Sequence, residues 1–273
     1  MQQKGNFLLM DISEFRGWLK SQSITRNITK LQVHHTAAPN YTTRKMVNGV
    51  AQQDHFICLE GMRNHHINKN GWSATGQNIT VFEDGRVAIS LDRDLNQTPA
   101  GISGANTGSL CIEIIGNFDK GGDTITQAQK TAVVHLYACL CERLNIVPSV
   151  NTIEYHAWYA ASGAYLGDYI AGKSSKTCPG TNFMGTGNSK AAANNSFIPL
   201  IKVELDKLKG EGARMHKSGF SDVPDNHWAA ASIKKAADKD IITGVSDGKF
   251  DPNGTLTRAQ LAVILDRAGL LGK

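Results

Sequence analysis

Cys178 lies in the stretch SKTCPG, two residues after Lys176 and directly before a proline. Four readings are open to such a thiol: a structural side chain, half of a disulfide, a nucleophile or a metal ligand. The five cysteines (58, 111, 139, 141 and 178) are odd in number and widely spread. The opening MQQKGNFLLMDISEFRGWLK breaks its apolar run at Asp11, with no small-residue cleavage site after it, so it does not read as a secretory signal. A chain that begins in a reducing cytosol is not expected to carry a disulfide framework. Histidine supplies the other donors. Among the nine histidines, His34 shares the polar Gln32 face of a strand, while its neighbour His35 shares the Leu31 and Val33 face and points toward the core. His156 stands in TIEYHAW, ahead of a long Gly- and Tyr-containing loop that ends at Cys178. Two neutral imidazoles and a thiolate suit zinc, and three protein ligands leave a fourth position for water, which is the pattern of a catalytic rather than a structural site.

Short strands and amphipathic helices must bring these residues together. KLQVHH (30–35) and SLCIEII (109–115) alternate as strands, and ITVFEDGRVAIS (79–90) reads as a hairpin turning at Asp84-Gly85. TQAQKTAVVHLYACLCERLN (126–145) opens on a capping-box pattern, Thr126 with Gln129, and keeps apolar residues at helical spacing. The expectation is an α/β fold, a mixed central sheet flanked by helices, plus a small all-α C-terminal domain. Domain boundaries follow composition: 1–208 as the larger domain, a Gly- and charge-rich linker over 209–218, and 219–273 as the small one.

Charge and hydropathy narrow the function. The net charge of +5 belongs to residues 1–218, since 219–273 balances seven Lys and Arg against seven Asp. That excess is too small to argue for nucleic acid. Apolar runs stay far below the roughly 20 residues that span a bilayer, so no membrane insertion is expected.

Four ordered motifs, VHHTAA (33–38), GWSATGQNITVFEDGRV (71–87), CIEIIGNFD (111–119) and KTCPG (176–180), resemble the type 2 N-acetylmuramoyl-L-alanine amidases. These share their fold with phage T7 lysozyme and the peptidoglycan recognition proteins. The resemblance covers about residues 27 to 200. It implies one zinc ion per chain on His34, His156 and Cys178, with peptidoglycan as the substrate. Gln77 stands where T7 lysozyme and the amidase-active recognition proteins carry a tyrosine. In other members a glutamate in an xIEx strand activates water, which is Glu113 here. Glu113 and Lys176 are thus the expected catalytic pair, Lys176 stabilising the oxyanion. The loop between His156 and Cys178 is longer than in compact members, and its Trp158, Tyr159, Tyr165 and Tyr169 are expected to border the groove.

The tail resembles a single S-layer homology domain through FSDVP, HWA, SDGKFDPN and LTRAQ. Two helices are expected, Trp228 to about Lys239 and Thr257 to Arg267, with Leu261, Ile264 and Leu265 facing Ile233 and Ala237. The resemblance implies a secondary cell-wall polysaccharide as ligand, with Arg258 pairing to its carboxylate and Trp228 beside it. An enzyme without a signal, acting at the bacterial wall, fits an endolysin released through holin lesions or an autolysin. The rival reading is a non-catalytic peptidoglycan-binding envelope protein.

Overall fold

The computed structural model describes residues 1–214, 219–245 and 248–271. The chain divides into two compact units, Met1–Leu205 and Asp206–Lys273. In order, the elements are β1 (Gln2–Lys4), β2 (Phe7–Met10), α1 (Ile12–Ser21), β3 (Lys30–His35), β4 (Met46–Val47), β5 (Val50–Ala51), α2 (His55–Asn68), β6 (Ile79–Val81), β7 (Val87–Ser90) and β8 (Ser109–Ile114). There follow α3 (Gln127–Leu144), β9 (Ile153–Tyr155), α4 (Lys190–Asn195), α5 (Phe197–Arg214), α6 (Ala230–Ala237) and α7 (Arg258–Arg267).

The first unit is a mixed seven-stranded sheet in the order β1-β2-β7-β6-β8-β3-β9, with β4 and β5 forming a separate small ribbon. The four strands nearest the chemistry, β6, β8, β3 and β9, run parallel. Their near-continuous burial is what a parallel sheet covered by helices requires. Helix α2 packs Phe56, Leu59 and Met62 against Phe7, Leu9 and Ala88 of the sheet. Helix α3 buries Val133, Leu136 and Leu140 and packs with α1, where Arg16 and Glu142 form a two-pronged ion pair at 2.7 and 2.9 Å.

The expected hairpin forms between β6 and β7, and the strand at 30–35 has the bounds read from its alternation. The Thr126 hydroxyl caps α3 by accepting from the Gln129 amide. The Gln129 side chain does not close the box, because it reaches inward and donates to the carbonyls of Val81 and Ile115. Burial under the sheet offered it better partners than the helix end. None of the five cysteines is joined in a disulfide.

The stretch read as an irregular linker is helical as far as Arg214, within α5. Lys, Leu, Glu, Ala and Arg around two glycines keep enough helix propensity to extend an established helix. Residues 215–218, the rest of that stretch, lie outside the described residues. The second unit has a small core of Val223, Ala230 and Ile233, flanked by Phe220, Ala229 and Phe250. Asp222 ties its loops by accepting from the amides of Phe250 and Asp251 at 2.8 and 2.7 Å. Thr257 and Gln260 do form a reciprocal capping box on α7. That helix has no fully buried residue: Leu261 is 46% exposed, Ile264 and Leu265 are half-buried, and the side chains packed on the Ile233 cluster are those of Phe220, Ala229 and Phe250 rather than the expected three.

Candidate metal centre and its cavity

His34 is the fifth residue of β3 and points to the same side as Gln32, whose Oε1 lies 3.2 Å from His34 Nε2. Gln32 Nε2 donates to the carbonyl of Ala105 at 2.9 Å, so Oε1 is the acceptor and the imidazole hydrogen belongs on Nε2. The bare Nδ1 then faces three groups: His156 Nδ1 at 3.3 Å, Cys178 Sγ at 3.6 Å and Glu113 Oε1 at 3.9 Å. His156 lies just past the end of β9. It opens the 3₁₀ turn that follows β9, and the Ala157 amide donates to the Cys178 carbonyl at 2.7 Å, tying the two ligand loops together. Cys178 Sγ also accepts from the His35 amide at 3.3 Å.

The donor atoms of His34, His156 and Cys178 lie within 4.8 Å of one another, and all three residues are buried. Burial, with Lys176 adding to it, holds the imidazoles in the neutral form, that of His156 down at about 4 and that of His34 well below its usual range. Neutral imidazoles are ready ligands. Burial first, and Glu113 second, push the Cys178 thiol well up, so a cation at this point would have to draw the proton off as it binds. Three converging donors, two nitrogen and one sulfur, with one tautomer locked from behind, fit zinc.

Glu113, on β8, lies across from His34 of β3 and from Thr80 of β6. Its Oε2 has no partner among the described residues, and burial, opposed by Lys176, raises its carboxyl to about 8. Gln77 is also buried. Its Nε2 donates to Thr80 Oγ1 at 3.1 Å, and its Oε1 is unpartnered among the described residues. The ligands, Glu113, Lys176 and Gln77 all line one cavity of about 710 Å³, walled by Ile57, Gly61 and His65 of α2. Trp158, Tyr159, Tyr165 and Tyr169 do not line it, contrary to expectation. Trp158 is fully buried, stacked on Tyr155 at 4.7 Å, and Tyr159 donates to Glu154 at 2.8 Å, so these rings anchor the inserted loop instead.

Two residues escaped the sequence reading. Cys111 forms a second close group with His34 and Glu113. Gly101 backs His34: a Cβ there would overlap Gln32 Oε1 and sit 3.0 and 3.1 Å from Cys111 Sγ and His34 Nε2, so the hydrogen-bonded pair leaves room only for glycine. Gly101 lies outside the quoted motifs and Cys111 only opens CIEIIGNFD, so it is the fold that puts both beside His34. In the second unit, Trp228 is 91% exposed and Arg258, the first residue of α7, is also exposed.

Residues 24–181, more than half of the chain, match the N-acetylmuramoyl-L-alanine amidase family, and the chain belongs to it. Residues 219–262 match the S-layer homology domain. Over 58 residues the chain is 47% identical to a cell surface protein of Thermoanaerobacter kivui, covering 21% of this chain and 8% of that protein. Over 48 residues it is 46% identical to S-layer protein EA1 of Bacillus anthracis, covering 18% of this chain and 6% of that protein. The chain thus spans less than a tenth of the length of these relatives. Among solved structures, the N-acetylmuramoyl-L-alanine amidase LysC from Clostridium intestinale is 20% identical with a TM-score of 0.41, covering 68% of this chain and 91% of that one. Drosophila PGRP-LB is 19% identical with a TM-score of 0.37, covering 46% of this chain and 68% of that one.

Proposed function

We propose that this chain is a zinc-dependent amidase that hydrolyses the bond between the lactyl group of N-acetylmuramic acid and the first L-alanine of the peptidoglycan stem. The observation that carries this reading is the convergence of His34, His156 and Cys178 in one cavity beside the Glu113 carboxyl, whose Oε2 has no partner among the described residues, within the stretch that matches the amidase family. Zinc, when held by these three residues, lowers the pKa of water and polarises a carbonyl. Glu113 is placed to take the proton from the attacking water and to return it to the amide nitrogen as the carbon–nitrogen bond breaks. The products are the lactyl carboxylate and the free amine of alanine. Lys176, exposed at the cavity and two residues from Cys178, supplies the positive charge that steadies the oxyanion. The second unit holds the enzyme at the bacterial wall through a secondary polysaccharide, with Arg258 on a carboxylate and Trp228 against a sugar face.

Mass spectrometry of digested peptidoglycan tests the reaction. The expected result is new free N-terminal alanine on stem peptides, lost on chelation and restored by zinc. Cleavage within the glycan or at another peptide bond, or wall binding with no cleavage, refutes it. Cys178→Ser is expected to weaken zinc binding strongly, because a hydroxyl is a poor zinc ligand at neutral pH, and a chelator competition measures that.

A further inference from the structure

We propose that Asp119 is the positioning residue that fixes Cys178 in register with the two histidines. The proposal rests on the zinc reading above. Its two carboxylate oxygens straddle the cysteine: Thr177 Oγ1 donates to Oδ2 at 2.9 Å and the Thr181 amide donates to Oδ1 at 2.9 Å. One carboxylate thus grips the loop on both sides of the sulfur. The same turn grips it again through backbone, since the Asn182 amide donates to the Phe118 carbonyl at 2.8 Å and the Lys120 amide donates to Thr181 Oγ1 at 2.8 Å. Gly180 lies against this turn with φ +122°, and a Cβ there would overlap the Phe118 carbonyl. The close approach needs glycine.

The turn is in register with β3 as well. The Phe118 amide donates to His35 Nδ1 at 3.1 Å, and the His35 amide donates to Cys178 Sγ at 3.3 Å. A closed circuit therefore runs from the residue beside His34, through Phe118 and Asp119, to the loop of Cys178. Charge-assisted bonds to a carboxylate are the strong members of such a circuit. Without them the loop keeps two bonds to its carbonyls on the His156 side, Ala157 to Cys178 at 2.7 Å and Asn188 to Thr177 at 2.6 Å. On the His34 side it keeps the His35 amide on Sγ and the bonds of Asn182 and Lys120, but loses the one group that spans the cysteine from Thr177 to Thr181. In this proposal that span sets the 3.6 Å spacing from Sγ to His34 Nδ1.

The test measures zinc affinity of the full chain by chelator competition, and the thiolate-to-metal charge-transfer band of the cobalt-substituted protein. Asp119→Ala is expected to bind zinc about 10- to 100-fold more weakly, the scale of outer partners of metal ligands, and to weaken or shift the cobalt band. Thr177→Val, which removes one of the two bonds, is expected to lose about three- to tenfold, as suits a single hydrogen bond, and decides the matter if Asp119→Ala does not fold. Arg16→Ala, which breaks the distant ion pair with Glu142, is the control for lost stability alone and should leave both readouts unchanged. Affinity within about twofold of wild type (the scatter of one hydrogen bond) in Asp119→Ala or Thr177→Val, or an equal loss in Arg16→Ala, overturns the proposal. Amide exchange at Thr181 in chelated protein should quicken in Asp119→Ala, and unchanged exchange overturns the clamp itself. If Cys178→Ser binds zinc as wild type does, it is the ligand set that has failed.

Discussion

Glu113 is the residue whose environment most strongly shapes its chemistry. Burial lifts its carboxyl to about 8 in the metal-free protein, against an ordinary carboxylate value when unfolded. Between those values the folded state holds one proton more than the unfolded state, so this group's stabilising effect is present at low pH and is lost as pH rises to about 8. The site histidines work in the opposite sense, but only between their lowered values and about 6.5. From about pH 6.5 to 8 Glu113 therefore dominates within the site. Chelated Glu113→Gln is expected to lose less stability across that window than chelated wild type, measured by denaturant melts at several pH values. The same variant should keep zinc and lose roughly 100-fold in rate. Near wild-type turnover would move the base elsewhere. Gln77→Ala is expected to cost far less, about tenfold or below, because Gln77 does not titrate and offers a single neutral hydrogen bond.

At the scale of elements, the wall of the cavity rests on one buried ion pair. Arg44 and Glu83 are both fully buried, with Nη2 to Oε1 at 2.8 Å, and Arg44 lies over the Phe82 ring at 5.0 Å. Arg44 Nη1 donates to the carbonyls of Gln53 and Asp54, the residues that lead into α2, while the Asp54 side chain caps that helix from Phe56 and Ile57. The guanidinium thus joins the β6–β7 turn to the start of the helix that carries Ile57, Gly61 and His65. Arg44→Ala leaves Glu83 charged and unpaired in the interior, so a loss of about 3–5 kcal/mol is expected in denaturant melts. A loss below about 1 kcal/mol, the scale of a surface pair, would show that water reaches Glu83.

Over the whole molecule, the two units invite separate assays. The first has a buried sheet core and the complete candidate site, whereas the second has three buried apolar residues at its centre. A chain ending after Arg214, where α5 ends, is expected to turn over a soluble muropeptide at nearly the full rate. On intact walls bearing the matching polymer its lysis should fall, because tethering raises the local enzyme concentration. Arg258→Ala in the full chain should reproduce most of that fall by removing a two-pronged carboxylate contact. Equal wall binding by full-length and shortened protein in a pull-down would rule out wall targeting by the second unit.

Strand and helix identities were legible because alternation and capping are local: KLQVHH pairs as β3, and Thr126 caps α3, in the way their spacing suggests. His34, His156, Cys178, Glu113 and Lys176 were singled out from residue type and resemblance, and the fold brings them to one cavity. What the chain alone left undecided depends on residues far apart in sequence. The inward reach of Gln129, the turn that carries His156 and the burial of Trp158 and Tyr159 were each settled by which surfaces the packed sheet left open, and the exposure of α7 by the packing within its own small unit. So too were Gly101 behind His34 and Asp119 beside Cys178, whose roles exist only once strands and loops meet. Local periodicity states which residues share a face, but burial, which sets the charge state of Glu113 and the histidines, is a property of the assembled fold.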